Sequence, residues 1–404
     1  MSPSTEAGAS LLGTQATRSG GLGFLRWMRL GLLLTGLWPL HTSAQGLLPL
    51  YDPAPGRAAS TGSIGLELAA AAASDTSSLR ALRRDDWLGD QLPNRSVNVT
   101  LAMARASLTA ERAGWSVALV SRAEGLGRLS SGVVRILQEE VEGTRPATGS
   151  SRYDGPGRLQ GWQGDGLRIG RELSQTWGTS TLRYGMALSA YSVRMLRDVW
   201  VDGSVQRQAD GSFSIAAEAV DANSRAQLPY GPQGTGTGTA WSMDLGMHWS
   251  TSRFGASLLV NDALGQIRWD RLATTAYQAA SSKGAVDADG YLDYAPTLRF
   301  QKTTPSRSLR IASKWQAAGE WRVTESLGVN AGVAGWQDVY LPWLGIGGAL
   351  FNGWRWGLDH DLRFGTTGLR LESGAVSLAV RSNRQGVSDI GGAVGLLLQW
   401  RLPL

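Results

Sequence analysis

The C-terminal sequence GGAVGLLLQWRLPL, residues Gly391–Leu404, alternates between two kinds of side chain. Counted back from the C-terminus in steps of two, one set is apolar throughout: Leu404, Leu402, Trp400, Leu398, Leu396 and Val394. The other set includes Arg401 and Gln399 together with small and apolar residues. A two-residue period belongs to a β-strand, in which successive side chains point to opposite faces. The sequence therefore predicts a final strand with one wholly apolar face.

The composition excludes several classes of protein. The chain has 404 residues, no cysteine, 53 glycines, 17 tryptophans and a formal net charge of +6. Without cysteine it can form neither a disulfide framework nor a lipoprotein anchor, and thiol and cysteine–metal chemistry are excluded. No apolar run after Ala44 is long enough for a transmembrane helix. If the mature chain spans a membrane, it must do so as a closed barrel, because only helices and closed barrels pair every backbone group in lipid.

The N-terminal residues have the pattern of a secretory signal peptide. A basic segment at Met28 precedes the apolar run Leu30–Leu40, and small residues lead to Gln45. A membrane anchor is the alternative, but the run is well short of the ~20 residues that span a bilayer. We expect translation to start at Met28, and we assign 1–44 to the signal peptide, 45–61 to a periplasmic tail and 62–404 to one barrel.

Two internal segments repeat the alternation of the C-terminus. Between Trp241 and Trp249, apolar residues alternate with Ser242, Asp244, Gly246, His248 and Ser250. The segment 309–323 places Trp315 and Trp321 on one face and charged residues on the other. A soluble barrel with its tryptophans inside is the alternative to a membrane barrel with its tryptophans facing lipid.

This pattern resembles the strands of Gram-negative outer-membrane β-barrel proteins, whose last residue is commonly Phe where this chain has Leu404. The resemblance implies an all-β fold, a transmembrane antiparallel up-and-down barrel located in the outer membrane. Counting the alternating runs gives twelve to sixteen strands, and we predict fourteen because such barrels have even numbers. Apolar residues spaced by three and four also predict a short amphipathic helix near 126–142. The implied partners are outer-membrane lipid and the barrel-assembly machinery, with no nucleic acid.

The alternation assigns side chains to the two faces of the wall. We expect the lipid-facing aromatic girdle to contain Trp241, Trp249, Trp315, Trp321 and Trp400. We expect the lumen to be lined by Arg183, Asp244, His248, Arg310, Lys314, Glu320, Arg322 and Arg401. The excess of positive charge in this second set predicts a lumen that attracts anions. A wide lumen should also tolerate Arg at Gly246, whereas Arg at the lipid-facing Leu245 should be costly.

Catalysis is not predicted. Asp244, His248 and Ser250 are the residue types of a hydrolase triad, but neighbours two apart on a strand are about 6.5–7 Å apart, too far for direct hydrogen bonds. Asp359-His360-Asp361 points to alternate faces, which argues against a metal site. We therefore predict a channel or transporter for small or hydrophobic solutes, without cofactor or metal. The alternatives are a non-catalytic accessory of a polysaccharide-secretion or conjugation system and, third, a lipid-modifying barrel enzyme.

Overall fold

The computed structural model describes residues 46–54, 62–80, 95–135, 151–207, 213–226, 234, 236–280, 297–324, 326–350, 354–373, 375–384 and 391–404. The predicted signal peptide and the end of the predicted tail lie outside the described residues. The strands are β1 Ser63–Ser74, β2 Val97–Arg112, β3 Trp115–Ser130, β4 Ser151–Asp154, β5 Gly157–Trp177, β6 Ser180–Arg207, β7 Phe213–Asn223, β8 Gly238–Ser250, β9 Phe254–Trp269, β10 Thr274–Ala280, β11 Thr297–Thr303, β12 Arg307–Arg310, β13 Lys314–Arg322, β14 Leu327–Trp336, β15 Val339–Ala349, β16 Arg355–Asp361, β17 Thr367–Glu372, β18 Val376–Ser382 and β19 Ala393–Pro403.

The wall is a closed antiparallel barrel. Within the described part of the chain, fourteen strands pair in one ring: β1, β2, β3, β5, β6, β8, β9, β13, β14, β15, β16, β17, β18 and β19. The ring closes where β1 pairs with β19, from Ser63 opposite Pro403 to Ala73 opposite Ala393. The predicted barrel and its fourteen strands are confirmed. Closure leaves no free sheet edge in the wall, as lipid requires.

The two ends of the barrel differ. At the end where β1 begins and β19 finishes, short turns connect the strands, and we call it the turn end. The β2–β3 turn there has positive φ at both central residues, Ala113 (50°) and Gly114 (77°), the geometry that a two-residue hairpin favours. The opposite end, which we call the loop end, carries the long connections. There β6 continues far past the wall and pairs with β4 and β7, and β10 and β11 extend this outer sheet.

The predicted helix begins later than expected. Strand β3 continues to Ser130, so Leu126 and Leu129 are strand residues paired with Leu101 and Asn98. A helix starts at Ser131 and is described to residue 135, and the remainder of the predicted segment lies outside the described residues. The ladder with β2 and β5 satisfies the backbone of residues 126–129, which outweighs their helical spacing of apolar side chains. No described helix is long and apolar enough to cross a membrane.

Apolar side chains face outward and charged side chains face inward. On β3, Trp115, Val117 and Leu119 are exposed, whereas Arg122 and Glu124 are buried in the lumen. The soluble alternative predicts the reverse, with tryptophans inside and charges in water. The distribution is that of a transmembrane barrel, in which the outer face contacts lipid and the interior is polar.

Candidate functional site

The interior of the barrel has three levels along its axis. An apolar level lies toward the loop end, a belt of buried ion pairs crosses the middle, and a polar cavity opens toward the turn end. Residues 46–54, which we call the tail, pass through all three levels. The lumen and the tail together are the candidate functional site.

The apolar level consists of two buried clusters. One contains Leu101, Trp336 and Leu341 of the wall and also the tail residues Leu47, Leu48 and Leu50. The other contains the aromatic residues Trp162, Tyr191 and Trp269 with aliphatic neighbours. Trp162 and Tyr191 meet edge to face with ring centroids 5.4 Å apart. Apolar side chains inside a membrane barrel form a surface that suits hydrophobic solutes.

The ionic belt is centred on Asp262. The Lys314 ammonium lies 2.7 Å from Asp262 Oδ2 and 2.9 Å from Glu124 Oε2. Arg122 donates two hydrogen bonds to Asp262 and a third, of 2.7 Å, to Glu124 Oε1. All four side chains are buried. Two cations and two carboxylates balance in charge, so each depends on the others for compensation.

A second buried pair adjoins the belt. Arg168 lies 3.7 Å from Asp244, and Asp244 accepts a 2.9 Å hydrogen bond from the backbone N–H of Asp262. The Arg168 guanidinium also stacks 3.8 Å from the centroid of the Tyr51 ring. This second pair therefore connects the belt to the tail.

The tail lies inside the barrel and not in the periplasm, where the sequence analysis placed it. The Tyr51 backbone N–H donates to Asn261 Oδ1 (2.7 Å), and Asn261 Nδ2 donates to the Tyr51 carbonyl (2.8 Å). Asp52 Oδ2 lies 2.9 Å from His248 Nε2. Leu47 and Leu48 are fully buried. Docking buries the leucines and gives the backbone of Tyr51 a side-chain amide partner. The prolines alone suggested an extended segment outside the barrel, and they gave no sign of either contribution.

A pair of glycines makes room for the tail. Gly185 of β6 lies directly opposite Gly246 of β8. A Cβ atom at Gly185 would lie 2.1 Å from the Pro53 carbonyl oxygen, and one at Gly246 would lie 2.8 Å from Pro53 Cδ. Neither position can carry a side chain while Pro53 stays in place. The expectation that Gly246 tolerates Arg is therefore wrong for the barrel with its tail docked.

The polar cavity has a volume of about 560 Å³. Its charged lining consists of the cations Arg183, Arg322, Arg355 and Arg370, the carboxylates Asp52, Glu320 and Glu372, and His248. The four arginines outnumber the three carboxylates by one. Glu320 lies 3.7 Å from Arg322 and 4.0 Å from Arg355, and Arg370 lies 2.9 Å from Glu372. Arg183 forms no ion pair with any described residue.

The structure brings together most of the residues that the alternation assigned to the lumen. Arg183, His248, Glu320 and Arg322 line the polar cavity, and Asp244 and Lys314 belong to the buried ion pairs. Arg401 faces inward and lies 3.3 Å from Glu111. Arg310, which was also assigned to the lumen, does not face it. It is exposed on the outer face, because Leu309 and Ile311 on either side pack into the inner apolar cluster.

The predicted girdle residues all lie on the outward face. Trp241, Trp249, Trp321 and Trp400 are exposed, and Trp315 packs edge to face on Tyr340 at 6.2 Å. The sequence analysis missed Arg122, Glu124 and Arg168, although each occupies a polar position within an alternating strand. It assigned the tail to the periplasm, because no local pattern predicts that this segment lies in the lumen.

The residue types of a hydrolase triad are separated. His248 contacts Asp52, whereas Asp244 is buried against Arg168 and the Asp262 backbone. Asp359 points inward to Arg381, and His360 points outward with Nδ1 3.3 Å from Thr367 Oγ1. In the described contacts, each of these side chains is thus paired with a residue outside the supposed triad or metal site.

Comparison with known proteins gives matches of fold alone. No family model and no curated protein sequence matches the chain. Solved structures that it is similar to include the TodX deltaS2S3 mutant monoaromatic hydrocarbon channel, at 11% identity and a TM-score of 0.41, over 87% of this chain and 91% of that one. Another is the CymD monoaromatic hydrocarbon channel, at 10% identity and a TM-score of 0.34, over 85% and 88% of the two chains. A Pseudomonas aeruginosa FadL homologue matches at 9% identity and a TM-score of 0.23, over 87% and 91%.

The chain resembles Gram-negative outer-membrane β-barrels as a class. The similarity is too low to carry an argument about substrate. The barrel itself is established by the strand pairing and by the outward apolar face described above.

Proposed function

We propose that this chain is an outer-membrane transporter for small hydrophobic solutes, with a lumen that the tail closes. The turn end faces the periplasm and the loop end faces outward, because bacterial barrels have short periplasmic turns and long extracellular loops. The carrying observation is the apolar level, where Leu47, Leu48 and Leu50 occupy a wall-lined apolar space. A hydrophobic solute that enters from the loop end offers the same apolar surface as these leucines and competes with them.

The ionic belt and the polar cavity, which lie between the apolar level and the turn end, suit release of the solute. A solute that displaces the leucines loosens the tail, whose lower residues are held by Asn261, Arg168 and His248. The polar cavity then leads to the turn end. Apolar cargo gains little from this cavity, so it does not accumulate there and leaves the barrel down its concentration gradient.

Uptake in whole cells tests the proposal, because an intact outer membrane supplies the permeability barrier. Cells that express the chain should take up radiolabelled toluene faster than cells with the empty vector. Deletion of residues 46–54 should also give stable conductance steps in a planar bilayer, where the complete chain gives few. Unchanged uptake together with a silent deletion variant would refute transport and favour the accessory role in export.

The excess charge of the cavity sets the ion preference of the opened barrel. Loss of the tail removes Asp52, so the guanidinium groups then outnumber the carboxylates by two. The reversal potential across a salt gradient should show an anion preference. Arg183→Gln should weaken it, and an unchanged preference would remove Arg183 from the pathway.

A further inference from the structure

The outer face of β8, β9 and β12 changes character at one height. On the side toward the membrane centre, Met243 and Leu264 are paired and continue the aliphatic surface of the wall. On this face of β8, Trp241 is the aromatic residue nearest to the loop end. In the row of Trp241 and in the next row toward the loop end, the other outward residues are polar: Thr239 of β8, Gln266 and Arg268 of β9, and Ser308 and Arg310 of β12.

The strand register places two arginines side by side. Trp241, Gln266 and Arg310 form one row across the three strands. Thr239, Arg268 and Ser308 form the next row. Arg268 and Arg310 are therefore diagonal neighbours on adjacent strands, a relation in which residues lie about 7–8 Å apart. Two arginine side chains can span that distance around one anionic group.

The two guanidinium groups are exposed and have no carboxylate partner among the described residues. Arg268 Nε lies 3.4 Å from Gln266 Oε1, and no described side chain bonds to Arg310. Nearby arginines differ, since Arg307 lies 4.0 Å from Asp198 on the inward face and Arg194 pairs with Asp165. An unpaired charge on a lipid-facing wall is costly in hydrocarbon, so this pair belongs at headgroup height.

We propose that Arg268 and Arg310 bind the phosphate of a phosphorylated glycolipid in the outer leaflet. Guanidinium groups bind phosphate oxygens in a bidentate manner, which favours arginine over lysine at such a site. Gln266 and Ser308 supply hydrogen-bonding groups for sugar hydroxyls between and beside the arginines. Trp241 and Leu264 continue the same surface downward for the acyl chains. This continuity with the apolar wall selects a lipid headgroup over a free anion.

The site rests on the proposed orientation of the barrel, but not on transport. The test measures, by native mass spectrometry, how much diphosphoryl lipid A binds to the purified full-length barrel in detergent. The matched variants are Arg268→Gln, Arg310→Gln and their combination. Arg299→Gln in the outer sheet removes the same charge away from the wall and is the control.

We expect each single change to weaken binding about five-fold and the double change about thirty-fold, from roughly 1 kcal/mol per basic residue near an anionic surface. Dephosphorylated glycolipid should bind the wild type as weakly as lipid A binds the double variant, and Arg299→Gln should match the wild type. Equal binding by the wild type and by a folded double variant would overturn the proposal. So would displacement of the lipid by an equimolar amount of inorganic phosphate, which would indicate a free-anion site. Loss of glycolipid binding with normal uptake would leave the transport function intact.

Discussion

Replacing the two deepest tail leucines tests how the lumen is closed. Leu47 and Leu48 have exposed fractions of 1% and 0%. Burial of a leucine side chain contributes roughly 1.5–3 kcal/mol, so Leu47→Ser/Leu48→Ser should remove about 3–6 kcal/mol from tail docking. The remaining anchors include Leu50 and the two hydrogen bonds to Asn261, together worth about 2.5–6 kcal/mol. The loss of about 3–6 kcal/mol should shift the docked-to-undocked ratio by about 10²- to 10⁴-fold.

The chain has no native cysteine, so a single introduced cysteine is the only thiol that a maleimide can label. Ala54 is buried beside the polar cavity, so Ala54→Cys should react slowly with a membrane-impermeant maleimide while the tail is docked. In the Leu47→Ser/Leu48→Ser background its labelling rate should rise at least ten-fold, with conductance steps appearing in parallel. Leu66→Ser, the same chemical change on the outward face of β1, is the matched control. An unchanged labelling rate in a folded double variant would refute the view that leucine burial holds the tail.

Three further substitutions test the ionic belt, the seat of the tail and the lipid-facing wall. Lys314→Met should lower the free energy of unfolding by about 3–5 kcal/mol, measured by urea unfolding from lipid vesicles, because it leaves buried carboxylates uncompensated. The control Arg322→Met, at a half-exposed position, should lower it by less than about 1 kcal/mol. An equal cost would contradict the buried network. Gly246→Leu should speed Ala54→Cys labelling by displacing Pro53, whereas Gly255→Leu, where a Cβ meets its nearest atom at 3.7 Å, should not. Labelling that is insensitive to both would place Pro53 elsewhere. Leu245→Arg should destabilise the barrel by about 2–4 kcal/mol near mid-depth, and a neutral result would mean that this face does not contact lipid.

Sequence alone predicted those features that depend on a regular two-residue period. The outward faces of β8 and β19 match the alternation of their residues, because continuous ladders with both neighbours hold the pleat. Strand number followed from the same pattern. The position of the tail could not be predicted in this way, since its contacts are with distant residues such as Asn261, which is more than two hundred residues away in sequence. Tertiary contacts of that separation leave no local trace in composition or spacing.

One irregularity in the wall accounts both for the misplaced Arg310 and for the centre of the ionic belt. Lys314 is opposite Asn261 and Arg310 is opposite Gln266, so four residues of β9 face three residues between β12 and β13. The difference of one residue reverses the alternation, and Arg310 turns outward while Lys314 stays inward. Within this interval Asp262 adopts φ = 54° and turns its carboxylate into the lumen, to Arg122 and Lys314. A regular strand would point residue 262 at lipid, where a carboxylate is costly, so the bulge is what makes an aspartate acceptable there. The same offset thus places one cation on the outer face and supplies the anion that holds two others in the lumen.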